Sequence, residues 1–159
     1  MIKIKKIIIA DISNIAHYNC RGAQPRQQNI DLLFSTIPDE IELISIADCS
    51  LYHKIDDKKN YKKDYLIPKL IIESPSRTRA DDFILTYAAK NNCYILSNDR
   101  FEGYSFISKD WVDNHRISFM IINNQLIFQC PEHLIFDIHP ELQNEAELME
   151  SNKEIINEF

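Results

Sequence analysis

The chain has 159 residues, of which 45% are hydrophobic and 26% charged, the composition of a single globular domain. It contains two glycines, Gly22 and Gly103, so the Gly-rich loops that cradle nucleotide phosphates are excluded. Its four cysteines are far apart and form no CxxC pair, which argues against a zinc site and a disulfide framework. No apolar run approaches the ~20 residues of a membrane span, and no signal-peptide pattern opens the chain, so we expect a cytoplasmic protein.

The net charge of −6 is concentrated at the C-terminal end. Residues 131–159 hold eight of the 24 acidic residues but only one of the 18 basic residues, Lys153. The rest of the chain is close to neutral, so the acidic total does not exclude a nucleic-acid substrate. We expect a domain over residues 1–130 and an acidic extension over 131–159 that is either a helix or a tail.

The first predicted element is a strand from Ile2 to Ala10, which alternates Ile and Lys and then becomes continuously apolar. Such a run is typical of a strand that is buried on both faces of a parallel sheet. Asp11 follows at once, and the carboxyl ends of such strands are where open α/β sheets bind ligands. Asp11 would serve equally well as the cap of the next helix, and both interpretations stay open here.

Three further elements are predicted before residue 74. A helix spans Ile30–Ile37, a strand spans Ile41–Ala47, and a short third strand spans Lys69–Glu73. Asp48 follows the second strand, and Asp48 or Ser50 is the expected cap of a further helix.

Six lysines accompany two tyrosines in the range 54–69. The lysines are Lys54, Lys58, Lys59, Lys62, Lys63 and Lys69, and the tyrosines are Tyr61 and Tyr65. Such a run usually marks the solvated face of a helix. The alternative is a surface where lysines contact phosphates and tyrosines stack on bases.

The stretch 74–101 predicts one connected unit of loop, helix and strand. The loop Ser74–Arg79 is followed by a helix over Ala80–Asn91 and a strand over Cys93–Ser97. Two adjacent carboxylates, Asp81 and Asp82, open the helix, where they also suit the helix dipole. The residues expected on its buried face are Phe83, Ile84, Tyr87 and Ala88. Asp99 comes just after the strand.

Beyond residue 100 the sequence predicts an aromatic segment and a hairpin. The aromatic segment, residues 101–111, is expected to form a short helix that packs on the sheet. Two strands, Arg116–Ile122 and Gln125–Phe128, flank the pair Asn123-Asn124, which is typical of a hairpin turn.

The predicted strands alternate with helices, which indicates a mainly parallel sheet in an α/β fold. Residues that follow successive parallel strands converge at one edge of such a sheet. Asp11, Asp48 and Asp99 each follow a buried run, and Asp81 and Asp82 open the helix between the last two strands. Clustered carboxylates are the ligands that a hard divalent cation requires, so the sequence predicts a metal site at this edge.

Three segments together resemble the NYN branch of the PIN-like nucleases. They are DISN at 11–14, ADDFILTYA at 80–88 and ILSNDRF at 95–101. The likeness is greatest to the regnase-like ribonucleases, which in animals carry a CCCH zinc finger, and covers roughly residues 5–130. The chain departs from that pattern at Ile12, where the family usually has glycine, and it lacks zinc-finger cysteines.

The resemblance implies a PIN-like fold, a central sheet flanked by helices, and a Mg²⁺- or Mn²⁺-dependent endoribonuclease that cuts single-stranded or loop RNA. It implies metal-binding and catalytic roles for Asp11, Asp81, Asp82 and Asp99. It places Asn14, Asp48 and Asn98 beside those acids. The candidates for phosphate contacts are Arg77, Arg79 and Arg100. A homodimer is a further expectation that comes from the family alone.

Other interpretations compete with this one. A catalytically weak PIN-like module would bind RNA or a protein partner without cleaving. A receiver-like domain would need paired acids after the first strand, where Asp11 stands alone. A haloacid-dehalogenase-type phosphatase would need a second Asp where Ser13 stands.

Overall fold

A central sheet with the strand order β3-β2-β1-β4-β5-β6 organises the part of the chain that the structure describes. This part, in a computed structural model, is residues 6–134. The strands are β1 (Lys6–Asp11), β2 (Ile41–Ala47), β3 (Ile71–Glu73), β4 (Tyr94–Leu96), β5 (Arg116–Ile122) and β6 (Gln125–Gln129). The α-helices are α1 (Ile12–Ala16), α2 (Gln27–Thr36), α3 (Leu51–Lys54), α4 (Lys58–Tyr61), α5 (Ala80–Asn91) and α6 (Lys109–His115). A π-helical turn at Lys62–Leu66 continues α4, and a 3₁₀ turn spans Glu132–Leu134.

Strands β1 to β5 pair in parallel, and β6 returns antiparallel to β5. The turn between β5 and β6 is the pair Asn123-Asn124, whose φ angles of 48° and 61° belong to the left-handed region that tight hairpin turns require. The predicted α/β class with a mainly parallel, helix-flanked sheet is therefore confirmed, as is the hairpin.

The sheet is buried on both faces because helices cover each side. Along β1, Ile8 and Ala10 join the core beneath α1 and α2, whereas Ile9 joins the core beneath α5. Side chains alternate across a strand, so Asp11 falls on the same face as Ile9, toward α5. This alternation directs the first predicted acid to the side of the sheet where the other acids lie.

The direction of strand addition reverses between β1 and β4. From β1 the chain adds β2 and then β3 on one side, and β4 and β5 lie on the other side. In an open parallel sheet, the loops diverge at such a reversal and leave a crevice outside the carboxyl ends of the strands. We therefore expect the crevice here between the residues that follow β1 and those that follow β4.

The buried face of α5 differs from the predicted one. Ala80, Ile84, Leu85 and Ala88 are the buried residues of this helix. Phe83 and Tyr87 are instead 43% and 41% exposed, so their assignment to the core is wrong. Leu85 takes their place because the centre of the buried stripe lies about half of the 100° residue step around the helix from the centre of the predicted stripe.

The lysine-rich segment presents its charges to solvent and its tyrosines to the core. All six lysines between 54 and 69 are exposed. Tyr61 is fully buried and Tyr65 is 6% exposed, with its hydroxyl donating a hydrogen bond to Asp31. The interpretation in which these two tyrosines stack on bases is therefore wrong, and the solvated-face interpretation holds.

Several element boundaries differ from the prediction. Strand β1 is described from Lys6 onward, and residues 2–5 of the predicted strand and all of 135–159 lie outside the described residues. In the aromatic segment, helix α6 begins only at Lys109. Leu134 is fully buried in the core beneath α2. None of the helices within residues 6–134 is long and apolar enough to span a membrane.

The corrected face of α5 gives a first test. Leu85→Ala should lower the free energy of unfolding by about 2–5 kcal/mol, because Leu85 is fully buried and its loss leaves a cavity. The matched variant Phe83→Ala should cost less than about 1 kcal/mol, since that ring is 43% exposed. Urea unfolding of both variants measures the difference, and a larger cost for Phe83→Ala would contradict this orientation of the helix.

Candidate active site at the carboxyl edge of the sheet

Asp11 and Ser97 face each other where β1 and β4 end. The register pairs Ala10 with Leu96, so the next residue on each strand is brought side by side. The Ser97 hydroxyl donates a hydrogen bond to Asp11 Oδ2 at 2.9 Å, and it accepts one from the backbone N–H of Asp99 at 3.1 Å. One buried hydroxyl therefore connects the first predicted acid to the loop that carries the last.

Asp11 also caps the helix that follows it. Its Oδ1 accepts a hydrogen bond from the backbone N–H of Asn14 at 3.2 Å, at the first turn of α1. The two interpretations of Asp11 from the sequence, helix cap and site carboxylate, are therefore compatible. Each carboxylate oxygen has one donor.

Burial shifts the ionisation of Asp11. The residue is only 4% exposed, and this loss of water raises the pKa of its carboxyl group from 3.8 to about 7. The hydrogen bonds from Asn14 and Ser97 lower this pKa in part, and the nearby charges of Asp81 and Asp99 raise it further. Three of the four predicted acids thus share one electrostatic environment at the crevice.

Asp81 lies in a small polar network at the start of α5. Its Oδ2 accepts a hydrogen bond from the Tyr104 hydroxyl at 3.0 Å and lies 3.2 Å from Nη2 of Arg79. The Arg79 guanidinium is also 5.4 Å from the centre of the Tyr104 ring. The Asp81 charge raises the pKa of the Tyr104 phenol further, although burial is the largest cause, and the value reaches about 12. Asp82, half-buried, is the next residue of the helix.

Two asparagines hold the loop after β4 in place. The side-chain oxygen of Asn14 accepts a hydrogen bond from the backbone N–H of Asn98 at 2.9 Å. The Asn98 side chain then pairs with both backbone groups of Phe119, donating to its carbonyl and accepting from its N–H, each at 2.9 Å. The structure therefore places both predicted residues next to the acids, in roles that position the loop carrying Asp99.

Asp48 forms a local turn of its own just after β2. Its Oδ1 accepts a hydrogen bond from the backbone N–H of Ser50 at 2.8 Å, and this bond is the main reason that its pKa is lowered. A smaller lowering comes from the amide of Ala80, which begins α5. Ser50 is the N-cap residue of α3 but makes no side-chain cap bond.

The three predicted phosphate-contacting arginines are all exposed. Arg79 contacts both Asp81, at 3.2 Å, and the Tyr104 ring, at 5.4 Å from its centre. Arg77 lies in the same loop with a left-handed φ of 67°, two residues before Arg79. Arg100 follows Asp99 directly. Basic side chains therefore border the acids on both the α5 side and the β4 side.

Comparison with known proteins identifies the family. Residues 4–134 match the family described as Zc3h12a-like Ribonuclease NYN domain. The chain belongs to this family. No curated protein sequence matches the chain.

Two solved structures of a plant protein have a similar fold. One is the crystal structure of nuclear proteinaceous RNase P 2 from A. thaliana, with a TM-score of 0.64 and 15% identity. The other is a structure of the Arabidopsis thaliana nuclear protein-only RNase P 2, with a TM-score of 0.60 and 16% identity. Each match covers 80% of this chain and 30% of the plant chain, so this chain spans less than a third of that protein's length.

The crevice of this NYN domain has the donor chemistry for a hard divalent cation. Its carboxylates are oxygen donors, and the buried Asp11 leaves negative charge that a proton or a cation would neutralise. Within residues 6–134, however, no group of three or more His, Cys, Asp or Glu side chains is already gathered as a metal site. Mg²⁺ needs only one or two direct carboxylates because it keeps most of its water, so the donor set fits the cation without a closed cage.

Two residues of the site were not predicted from the sequence. Ser97 stands within the motif Ser-Asn-Asp, but only the register of β1 and β4 shows that it contacts Asp11. Tyr104 packs against the core beneath α5, as the aromatic segment predicts, and its hydroxyl also reaches Asp81. The signal available in the sequence was the position of Tyr104 shortly after the motif acid Asp99.

The raised pKa of Asp11 predicts how stability depends on pH without metal. The folded carboxyl group keeps its proton up to about pH 7 and the unfolded group only up to about 3.8, so the folded state gains stability at low pH. Between pH 5 and pH 8 in EDTA, the wild type should therefore lose roughly 2–3 kcal/mol that Asp11→Asn does not lose. Urea unfolding at both pH values measures this, and equal losses in the two proteins would contradict it.

The Ser97 hydroxyl gives a second test. Ser97→Ala leaves Asp11 Oδ2 buried without its donor and should cost about 1–3 kcal/mol. Ser45, within β2, is a matched control, because it is also buried but its hydroxyl has no hydrogen-bond partner among the described residues. Ser45→Ala should change the free energy of unfolding by less than about 0.5 kcal/mol. Equal costs in urea unfolding would argue against the Ser97–Asp11 bond.

Proposed function

We propose that this NYN domain is an endoribonuclease that hydrolyses phosphodiester bonds in single-stranded or loop RNA with Mg²⁺ or Mn²⁺. The observation that carries the proposal is the shared environment of Asp11, Asp81 and Asp99 at the switch between β1 and β4, in a chain of a ribonuclease family. The name of the structurally similar plant protein, an RNase P, also supports RNA as the substrate class.

In this proposal Asp11, Asp81, Asp82 and Asp99 hold the cation. When bound, a divalent cation supplies an activated water near neutral pH and stabilises the charge that develops on the phosphate. Asp11 contributes a negative charge that is shielded from solvent, and Ser97 fixes its orientation relative to the Asp99 loop. Asn14 and Asn98 keep that loop from moving, which limits the loss of geometry during the reaction.

The exposed arginines position the RNA strand. Arg77 and Arg100 carry charges that point into solvent near the acids, and contacts of this kind hold phosphates without reading sequence. Arg79 has two contacts at once, with Asp81 and with the Tyr104 ring. A phosphate that approaches Arg79 would share the guanidinium with Asp81, so substrate binding and the placement of Asp81 are coupled.

A second candidate function is RNA binding or partner binding with weak or no cleavage. The observation that favours it is that Asp81 is already engaged by Arg79 and Tyr104, while no metal cluster is gathered among the described residues. RNA is the substrate in the first candidate and either RNA or a protein partner is the ligand in the second. They differ in whether the carboxylates gather around a cation when one is supplied.

Cleavage of labelled single-stranded RNA with Mg²⁺ or Mn²⁺ tests the proposed function. The wild type should cut it, and EDTA should abolish the activity. Asp82→Asn and Asp99→Asn should each reduce the rate by at least about 100-fold, because each removes a charge from the cation site. The matched control is Asp64→Asn, an exposed acid in the π-helical turn, which should leave the rate unchanged.

Three outcomes would contradict this function. Activity that survives EDTA would remove the cation from the mechanism. Equal cleavage by the wild type and both site variants would remove the carboxylates. Tight RNA binding without cleavage, at every Mg²⁺ or Mn²⁺ concentration, would favour the binding module instead.

Three expectations from the sequence remain predictions. They are a cytoplasmic location, a homodimer, and a boundary at residue 130 between the nuclease domain and an acidic extension. The structure describes only residues 131–134 of that extension, and nothing in the comparisons tests the other two.

A further inference from the structure

Two aromatic rings stand beside the site acids in the loop between β4 and α6. The rings of Tyr104 and Phe106 are 5.9 Å apart and meet edge to face at 82°. Tyr104 is half-buried, but Phe106 is 56% exposed. An edge-to-face pair holds both rings in a defined orientation, so Phe106 presents its surface to solvent while Tyr104 supports it from one side.

The Tyr104 ring is itself fixed to the site. Its hydroxyl donates a hydrogen bond to Asp81 at 3.0 Å, and the Arg79 guanidinium lies 5.4 Å from its centre. The exposed ring of Phe106 therefore contacts Tyr104, which is bonded to the predicted metal-binding carboxylate of Asp81.

The loop that carries the two rings is anchored at both ends. At its start, Phe101 is 4% exposed and its N–H donates a hydrogen bond to Asp99 Oδ1 at 2.8 Å. At its end, the Ser108 hydroxyl caps α6 by accepting from the N–H of Trp111 at 3.1 Å. The rings are thus held before any ligand arrives, which reduces the entropy that a ligand would have to offset.

Single exposed apolar residues are common on protein surfaces and need no ligand. Phe106 differs because its ring contacts Tyr104, which in turn contacts Asp81 and Arg79. Aromatic rings beside cationic groups are the surfaces on which proteins stack the unpaired bases of single-stranded nucleic acids. A paired base inside a duplex cannot present its face in this way.

We propose that Phe106, supported by Tyr104, is a stacking site for an unpaired base of the RNA strand whose phosphate lies at the carboxylates. This inference rests on the proposed function and sharpens its substrate class. The base stacks on the exposed ring of Phe106, and Arg79 contacts the adjoining phosphate. The site then selects single-stranded RNA over duplex RNA by requiring a free base, without reading which base it is.

RNA affinity in EDTA tests this inference separately from catalysis. Fluorescence anisotropy with a labelled single-stranded RNA would compare the wild type with Phe106→Ala, Phe106→Trp and the control Tyr87→Ala. Tyr87 is a similarly exposed aromatic residue, at 41%, on α5 but about a turn and a half beyond the acids. Phe106→Ala should weaken binding about tenfold, since base–aromatic stacking has this magnitude, whereas Phe106→Trp and Tyr87→Ala should change it less than twofold.

A duplex RNA and a sedimentation measurement complete the design. Duplex affinity should be the same for the wild type and Phe106→Ala, because paired bases do not stack on the ring. The inference is overturned if Phe106→Ala leaves single-strand affinity unchanged, or if it weakens single-strand and duplex binding equally. A change of oligomeric mass with unchanged RNA affinity would assign Phe106 to a protein interface and would also overturn it.

Cleavage and binding can fail independently in these experiments. If the wild type does not cut RNA with Mg²⁺ or Mn²⁺, the proposed function fails. If it cuts RNA but Phe106→Ala binds single strands as well as the wild type does, the stacking site alone fails.

Discussion

The site depends on the hydrogen bond from Ser97 to Asp11. A carboxylate that is 4% exposed would be expensive to bury without donors, and the two donors come from different parts of the chain, the start of α1 and the end of β4. The backbone N–H of Ser97 donates a hydrogen bond to the carbonyl oxygen of Ile117. The carbonyl oxygen of Ser97 accepts a hydrogen bond from the Arg116 side chain. All of its polar groups are paired, so the point where three strands meet is also the point that orients the acid.

This arrangement fixes the geometry of the site, but it lowers the stability of the fold when no cation is bound. At neutral pH the buried Asp11 must either keep a proton or bear a charge near Asp81 and Asp99. A protein selected only for stability would place a small apolar residue there. Strained or poorly compensated groups tend to persist at functional sites, where the surrounding structure holds them in place. Asp11 has this character, while the exposed Asp99 does not.

The sequence was most informative at backbone positions that only a few residue types can occupy. Acids that follow buried strands, and asparagines in a two-residue turn, identified the sheet edge and the hairpin because only a few residue types suit those backbone positions. On α5 the pattern was ambiguous, since Phe83 and Tyr87 form a helical stripe with Ile84 just as Leu85 does with Ala88. Only the position of the sheet decides which stripe is buried.

Sequence patterns could not predict contacts between segments that are far apart in the chain. The Ser97–Asp11 bond spans 86 residues, and the Tyr104–Asp81 bond spans 23. Serine and tyrosine occur in so many environments that their types alone predict no partner. The register of two parallel strands and the course of one anchored loop determine these contacts, and both are properties of the folded chain.

The two bonds between Asn98 and the backbone of Phe119 have a consequence for a chain that is still being synthesised. Asp11 emerges from the ribosome long before Ser97, and the loop that carries Asp99 lacks its anchor until Phe119 has followed. Non-local pairings of this kind form late because the intervening chain must first be ordered. A nascent chain therefore carries Asp11, Asp81, Asp82 and Asp99 before the backbone of Phe119 is available to hold the loop of Asp99 in place.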